Sequence, residues 1–155
     1  MINIREFIEN HESDSETQRF FNDYAGSSGY ICDAISEYAD SQIDVYNYDL
    51  IEWAKTHICE IDEAVDELGK PDSFIGYIQQ GQYVYYERMI YDELDKGIEY
   101  AVYKTLLDNG VEEITEEQAA EVDAFIDGLD NNNRFEDFNE VLEIVKKIKS
   151  LRRVL

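Results

Sequence analysis

Two histidines, His11 and His57, and two cysteines, Cys32 and Cys59, are the chain's whole stock of imidazole and thiolate metal ligands. His57 and Cys59 stand two residues apart, which does not put them on one helical face, and Cys32 is far away in sequence. With no CxxC, HxxxH or HExxH spacing, the sequence offers no zinc site. Glycine-rich phosphate cradles and a GxSxG elbow are missing as well. The stretch Asp127-Gly128-Leu129-Asp130-Asn131-Asn132-Asn133 carries oxygens that suit calcium. It lacks the ordered spacing and closing Glu of an EF-hand loop, so it reads as a capped turn. Carboxylates are too abundant for any pair to stand out as an acid–base couple. The expectation is a protein that is not an enzyme and has no metal and no cofactor.

What the chain does have in quantity is negative charge. It holds 36 Asp and Glu against 13 Lys and Arg over 155 residues, a net charge of −23. That excludes a binder of nucleic-acid backbone, which needs cations to displace counterions, and disfavours an anionic membrane. Residues 142–155 hold Lys146, Lys147, Lys149, Arg152 and Arg153 against Glu143, a net of +4, so the first 141 residues carry −27. Three stretches contain acids and no base: 20–54, 60–69 and 105–133. The last holds Glu112, Glu113, Glu116, Glu117, Glu121, Asp123 and Asp127. Like charges one helical turn apart repel by about 0.2–0.5 kcal/mol per pair. Glu112–Glu116, Glu113–Glu117 and Glu117–Glu121 would be such pairs if one helix carried them all. A solubility coat explains acids in general. Unrelieved repulsion fits a surface matched to a cationic partner. Ladders such as Glu113-Glu116-Asp123-Asp127 resemble a phosphate rail at reduced density, since duplex phosphates recur every ~3.4 Å along each strand.

The second unusual feature is twelve tyrosines. Tyr85, Tyr100 and Tyr103 fall opposite the apolar stripe of a long helix, so they read either as core or as an interface suited to Arg and Lys. Glu87 falls within that stripe and needs hydrogen-bond partners such as nearby tyrosine hydroxyls.

These residues must be positioned by helices. The single proline, Pro71, and the sparse glycines punctuate the chain at Gly26-Ser27-Ser28-Gly29, Gly69-Lys70-Pro71, Asn109-Gly110 and Gly128 onward. Start signals sit at Ser13…Glu16, Thr115…Gln118 and Asn133…Glu136. Apolar residues recur at three and four in Leu50, Ala54, Ile58, Ile61, Val65, Leu68, again in Tyr83, Val84, Ile90, Tyr91, Leu94, Ile98, Ala101, Val102, Leu106, and in Phe138, Val141, Leu142, Val145, Ile148, Leu151. The spacing predicts an all-α fold of about seven or eight helices. They fall near 3–10, 14–25, 29–40, 47–69, 72–80, 82–108, 115–128 and 134–153. We expect one helical domain over 1–155, with a basic helix end at 142–155 that complements the helix dipole or docks on the protein's own acidic surface. No run approaches 18 apolar residues and the start shows no leader pattern, so the expected location is the cytoplasm.

The run Phe20 to Tyr38, with its glycine turn, resembles the small acidic proteins of phages and mobile elements in Gram-positive bacteria. So does Tyr83-Val84-Tyr85-Tyr86-Glu87-Arg88-Met89-Ile90-Tyr91 with the helix that continues to Leu107. The resemblance covers about residues 20–115 and supplies no matched binding or catalytic residue. It implies an anti-CRISPR or anti-restriction inhibitor of the DNA-mimic type. The expected partner is then a basic nucleic-acid-binding protein, a CRISPR nuclease or restriction enzyme, with no direct nucleic-acid or membrane contact. The alternative expectation is an acidic phage structural or adaptor protein acting through a tyrosine-rich interface or as a homodimer.

Overall fold

The computed structural model of the chain describes residues 1–25, 27–46, 49–129 and 134–154, the last three without their side chains. The protein is mostly helical, as the periodicity predicts. Among the described residues there are nine α-helices, one 3₁₀ segment and a two-stranded ladder. Tertiary contacts group the chain into two compact units, Met1–Cys32 with Glu93–Leu155, and Asp33–Asp92.

The first unit is organised on helix α7 (Leu94–Asp108). Its spacing of Leu94, Ile98, Ala101, Val102 and Leu106 buries one continuous face. Helices α1 (Ile4–Glu9), α2 (Ser15–Tyr24), α8 (Glu116–Asp127) and α9 (Val141–Val154) all pack on it. Strand β1 (Ile2–Asn3) pairs antiparallel with β2 (Glu113–Ile114), Ile2 opposite Ile114 and Asn3 opposite Glu113. The 3₁₀ segment Phe135–Glu140 precedes α9 and inserts Phe135 beside Phe20 and Phe21, with Phe138 stacked on Phe135. The all-α expectation therefore needs one amendment, the small ladder. Strands of two residues are too short to leave a period in the sequence.

Gly97 explains how α2 approaches α7. A Cβ there would lie 2.5 Å from two ring carbons of Phe21 and 2.7 Å from Thr17 Cγ2. Phe21 is fully buried, so the ring has nowhere to go.

In the second unit most of α3 (Ile31–Ser41) joins α4 (Leu50–Thr56), α5 (Ile58–Leu68) and α6 (Phe74–Asp92). The expected helix 47–69 is two helices broken at His57, whose backbone leaves the helical region at φ −129° and ψ 34°. Its Nδ1–H bonds to the Trp53 carbonyl at 2.9 Å, and its ring stacks on Trp53 at 4.2 Å. Burial follows Trp53 and Ala64, while Ile58 and Leu68 of the expected stripe are exposed. The expected break near Gly81 is absent. α6 runs through it, and the chain breaks at Glu93 instead. One interior glycine costs a helix about 1 kcal/mol but does not end it. Here a Cβ at Gly81 would lie 2.7 Å from Ile61 Cγ1 and 3.1 Å from the Trp53 ring, so the glycine serves close packing. Gly69, with φ +88°, ends α5 where the sequence places it.

Caps agree in part. Thr115 and Gln118 form a reciprocal capping box. The cap of α2 is Asp14, which accepts from Glu16 N–H at 2.8 Å, and not Ser13. Gly26, Asp130, Asn131, Asn132 and Asn133, on which the first turn, the calcium-like turn and one expected cap fall, lie outside the described residues, as does the expected helix start at Asn47.

Candidate functional site

The acids chosen from the sequence are all exposed: Glu112, Glu113, Glu116, Glu117, Glu121, Asp123 and Asp127. They are not one helical ladder. Glu112 and Glu113 precede the Thr115 cap, and Glu113 lies in β2, so neither is stacked one turn from Glu116 or Glu117. Of the three repulsive pairs only Glu117–Glu121 lies on one helix. The first turn of α8 moreover favours carboxylates, because the helix N-terminus carries partial positive charge and Glu116 and Glu117 both lie in that turn.

On α8 the acids form two rows. At about 100° per residue, Glu116, Asp123 and Asp127 fall within about 40° of one another. Glu117 and Glu121 form a second row about 120° away. Between them run Ala120 and Ala124, both exposed and too short to cover the carboxylates. The first row spans about 16 Å of helix axis, the length over which one DNA strand carries about five phosphates. The face thus carries two rows of exposed carboxylates with the short side chains of Ala120 and Ala124 between them.

Two contacts hold this face. Tyr103 on α7 donates its hydroxyl to Asp123, and burial, then the Asp123 and Glu99 charges and that bond, push its pKa well above the tyrosine range. Lys147 on α9 pairs with Glu121 at 3.0 Å. Thus part of the basic end docks on the protein's own acids. Lys149 lies over Gly110, with Nζ 3.5 Å from where a Cβ on that glycine would stand. Lys146 pairs locally with Glu143 at 3.2 Å. The side chains of Arg152 and Arg153 lie outside the described residues. Among the described residues, no Lys or Arg comes within ion-pair distance of Glu112, Glu116, Glu117, Asp123 or Asp127.

No family model, curated protein or solved structure matches this chain.

The tyrosines do not form the surface that a single helix over 82–108 would have made. The break at Glu93 puts Tyr85 on α6 and Tyr100 and Tyr103 on α7, in different units. Tyr103 is 3% exposed and is a core residue, out of reach of a partner. Tyr100 is half-buried with its ring edge-on to His11 at 5.8 Å. Tyr85 is half-buried with its ring edge-on to His57 at 4.9 Å. Glu87 accepts a hydrogen bond from Tyr83, as its place in the stripe demands.

Sequence reasoning passed over one polar cluster in the first unit. His11 has a buried side chain, whose Nε2–H donates to Glu99 at 2.8 Å. Its Nδ1 accepts from the Ser13 hydroxyl at 2.8 Å and the Ser13 N–H at 3.2 Å. Gln18 donates to the same hydroxyl at 3.0 Å. Ser13 is buried and its hydroxyl joins His11 to Gln18, so the cluster ties the segment after α1 to α2 and α7. A lone His two residues before a Ser carries no signature of this in sequence. Among the described residues, no group of three His, Cys, Asp or Glu could hold a metal ion, and no helix is long and apolar enough to cross a membrane.

Proposed function

We propose that the chain is a non-enzymatic inhibitor that occupies the basic nucleic-acid-binding site of a DNA-handling protein, a host defence nuclease acting in the bacterial cytoplasm. One observation carries this reading: two rows of exposed carboxylates on α8, four of whose five acids have no Lys or Arg within ion-pair distance among the described residues. Such a face meets arginines and lysines that otherwise hold phosphates. In an RNA-guided CRISPR nuclease the matching surfaces are the arginines that read the PAM and the channel that holds the heteroduplex. The likeness to acidic phage proteins adds that target class.

The test is cleavage by an RNA-guided nuclease and, separately, by a restriction enzyme, with increasing amounts of the protein. Inhibition should weaken steeply from 50 to 200 mM salt and should be relieved by excess duplex DNA, as screening and competition require. The combined change Glu116→Gln, Glu117→Gln, Asp123→Asn and Asp127→Asn should weaken it at least tenfold. Undiminished inhibition by that variant would remove the proposed surface.

A second reading, an adaptor or homo-oligomer, draws on Ile51, Ile58, Phe74 and Ile75, all exposed on the second unit. Binding through them would be nearly insensitive to salt, and light scattering would report a mass above that of one chain.

A further inference from the structure

The second unit contains a cleft of about 380 Å³ lined by Asp40, Ile43, Leu68, Gln79, Gln80 and Tyr83. Three helices contribute: the end of α3, the end of α5 and the middle of α6. The Ile43 wall is held by Gln82, which is fully buried on α6. Its Oε1 accepts the Asp44 N–H at 3.0 Å and its Nε2 donates to the Asp44 carbonyl at 3.1 Å. The Tyr83 wall is held at its hydroxyl, which donates to Glu87 and accepts from Ser36. Both walls are therefore set by the fold.

The polar groups of the cleft are mismatched to its own residues. Gln80 Oε1 is shielded from solvent and meets no donor. Only one other buried side-chain oxygen among the described residues shares that state, Thr17 Oγ1 in the first unit. A buried acceptor without a donor is unfavourable and calls for a partner. Asp40 adds an exposed carboxylate at the same cleft, close enough for its charge to act on Tyr83. Ile43 and Leu68 supply apolar sides, and Leu68 is exposed despite its size. The surrounding unit carries fourteen acids against three bases, so its field draws cations.

We infer that this cleft is a receptor for an arginine side chain of a partner protein. The match is by group. A guanidinium is planar, carries five N–H donors and no acceptor, and pairs in a fork with a carboxylate. One edge engages Asp40, while a rotation of the partly exposed Gln80 side chain brings its Oε1 into the cleft to meet another N–H. The plane packs on the Tyr83 ring, and the methylene stem lies along Ile43 and Leu68. Lysine fits less well, since an ammonium is a point charge with no face to stack. The inference does not depend on the inhibitor reading of α8, because a protein arginine can be bound whatever the partner does.

The test uses the full chain, ¹⁵N-labelled, titrated with N-acetyl-arginine N-methylamide as a stand-in for a peptide arginine. Saturable shifts should appear at Asp40, Ile43, Gln80 and Tyr83. The citrulline analogue, which keeps shape and loses charge, should produce no saturable shift, and the lysine analogue should bind at least fivefold more weakly. Asp40→Asn and Gln80→Leu should each weaken the arginine probe at least fivefold. Equal binding of citrulline or lysine would overturn the assignment, as would tighter binding of free arginine, which would make the ligand a metabolite. Shifts that never saturate, or that cluster elsewhere, would overturn it too. Should Gln80→Leu unfold, the wild-type probe series with Asp40→Asn decides alone.

Discussion

Lys147 and Glu121 close an ion pair of 3.0 Å across twenty-six residues of chain, joining the last helix to the acidic one. Both side chains are more than half exposed, so the pair adds less than about 1 kcal/mol to stability. Its larger effect is on charge, since it cancels one carboxylate of the second row. Lys147→Met should leave the melting temperature within about 2 °C. If the α8 face binds a basic partner, the same change should tighten that binding about twofold to fivefold at low salt. A weakened interaction would mean that the lysine itself touches the partner.

Tyr103 is neutral at ordinary pH and is held so by burial and by Asp123. Its pKa in the folded protein is raised above the ordinary 10.0. The stabilisation from the neutral hydroxyl is therefore complete below pH 10 and is lost as pH rises beyond it. In alkaline denaturation the stability should fall with a contribution approaching about 1.4 kcal/mol per pH unit from this one group. Tyr103→Phe should cost about 1 kcal/mol at neutral pH and make the alkaline limb shallower. An unchanged slope in the variant would show that other groups govern it.

Gly97→Ala sets helix propensity against packing. Propensity favours alanine by about 1 kcal/mol. The new methyl would stand 2.5 Å from the buried Phe21 ring, and overpacking costs about 1–3 kcal/mol. Packing should win, with a fall in melting temperature of about 5 °C. Gly128→Ala is the control. Its Cβ would meet nothing closer than 3.4 Å, and its φ of −79° suits any residue. Stability there should change by less than about 0.5 kcal/mol.

Gln82→Leu keeps size and removes both hydrogen bonds to Asp44. The expected loss is about 2 kcal/mol. Hydrogen exchange of the Asp44 amide should rise at least tenfold, while amides of α7, in the other unit, should be unaffected. A loss of protection throughout the chain would point instead to global unfolding.

Much of the helical plan was legible in the residues. Thr115 and Gly69 act at helix ends over distances of three or four residues, and such signals survive in a linear string. The stripe from Val84 to Leu106 was read correctly as core for most of its length, because burial on one helical face imposes its own period. The breaks at His57 and Glu93 were not legible. One arises where an imidazole stacks on Trp53 and bonds its carbonyl, and the other has no side-chain cap at all. Gly81 was misread for a related reason. Its cause is the approach of Ile61 and Trp53, which a local pattern does not contain.

For function, the sequence by itself determined the sign and the crowding of charge, since ionisation depends on residue type and little else. It also determined which acids are exposed along 112–127, because polar residues opposite an apolar stripe face water. Tertiary structure alone decided that Glu113 leaves the ladder for a strand, that Lys147 neutralises Glu121, and that Tyr103 is core. It alone brings Asp40, Leu68 and Gln80 to one cleft. Those outcomes rest on contacts between residues twelve or more apart in the chain, and periodicity and capping act over a single helical turn.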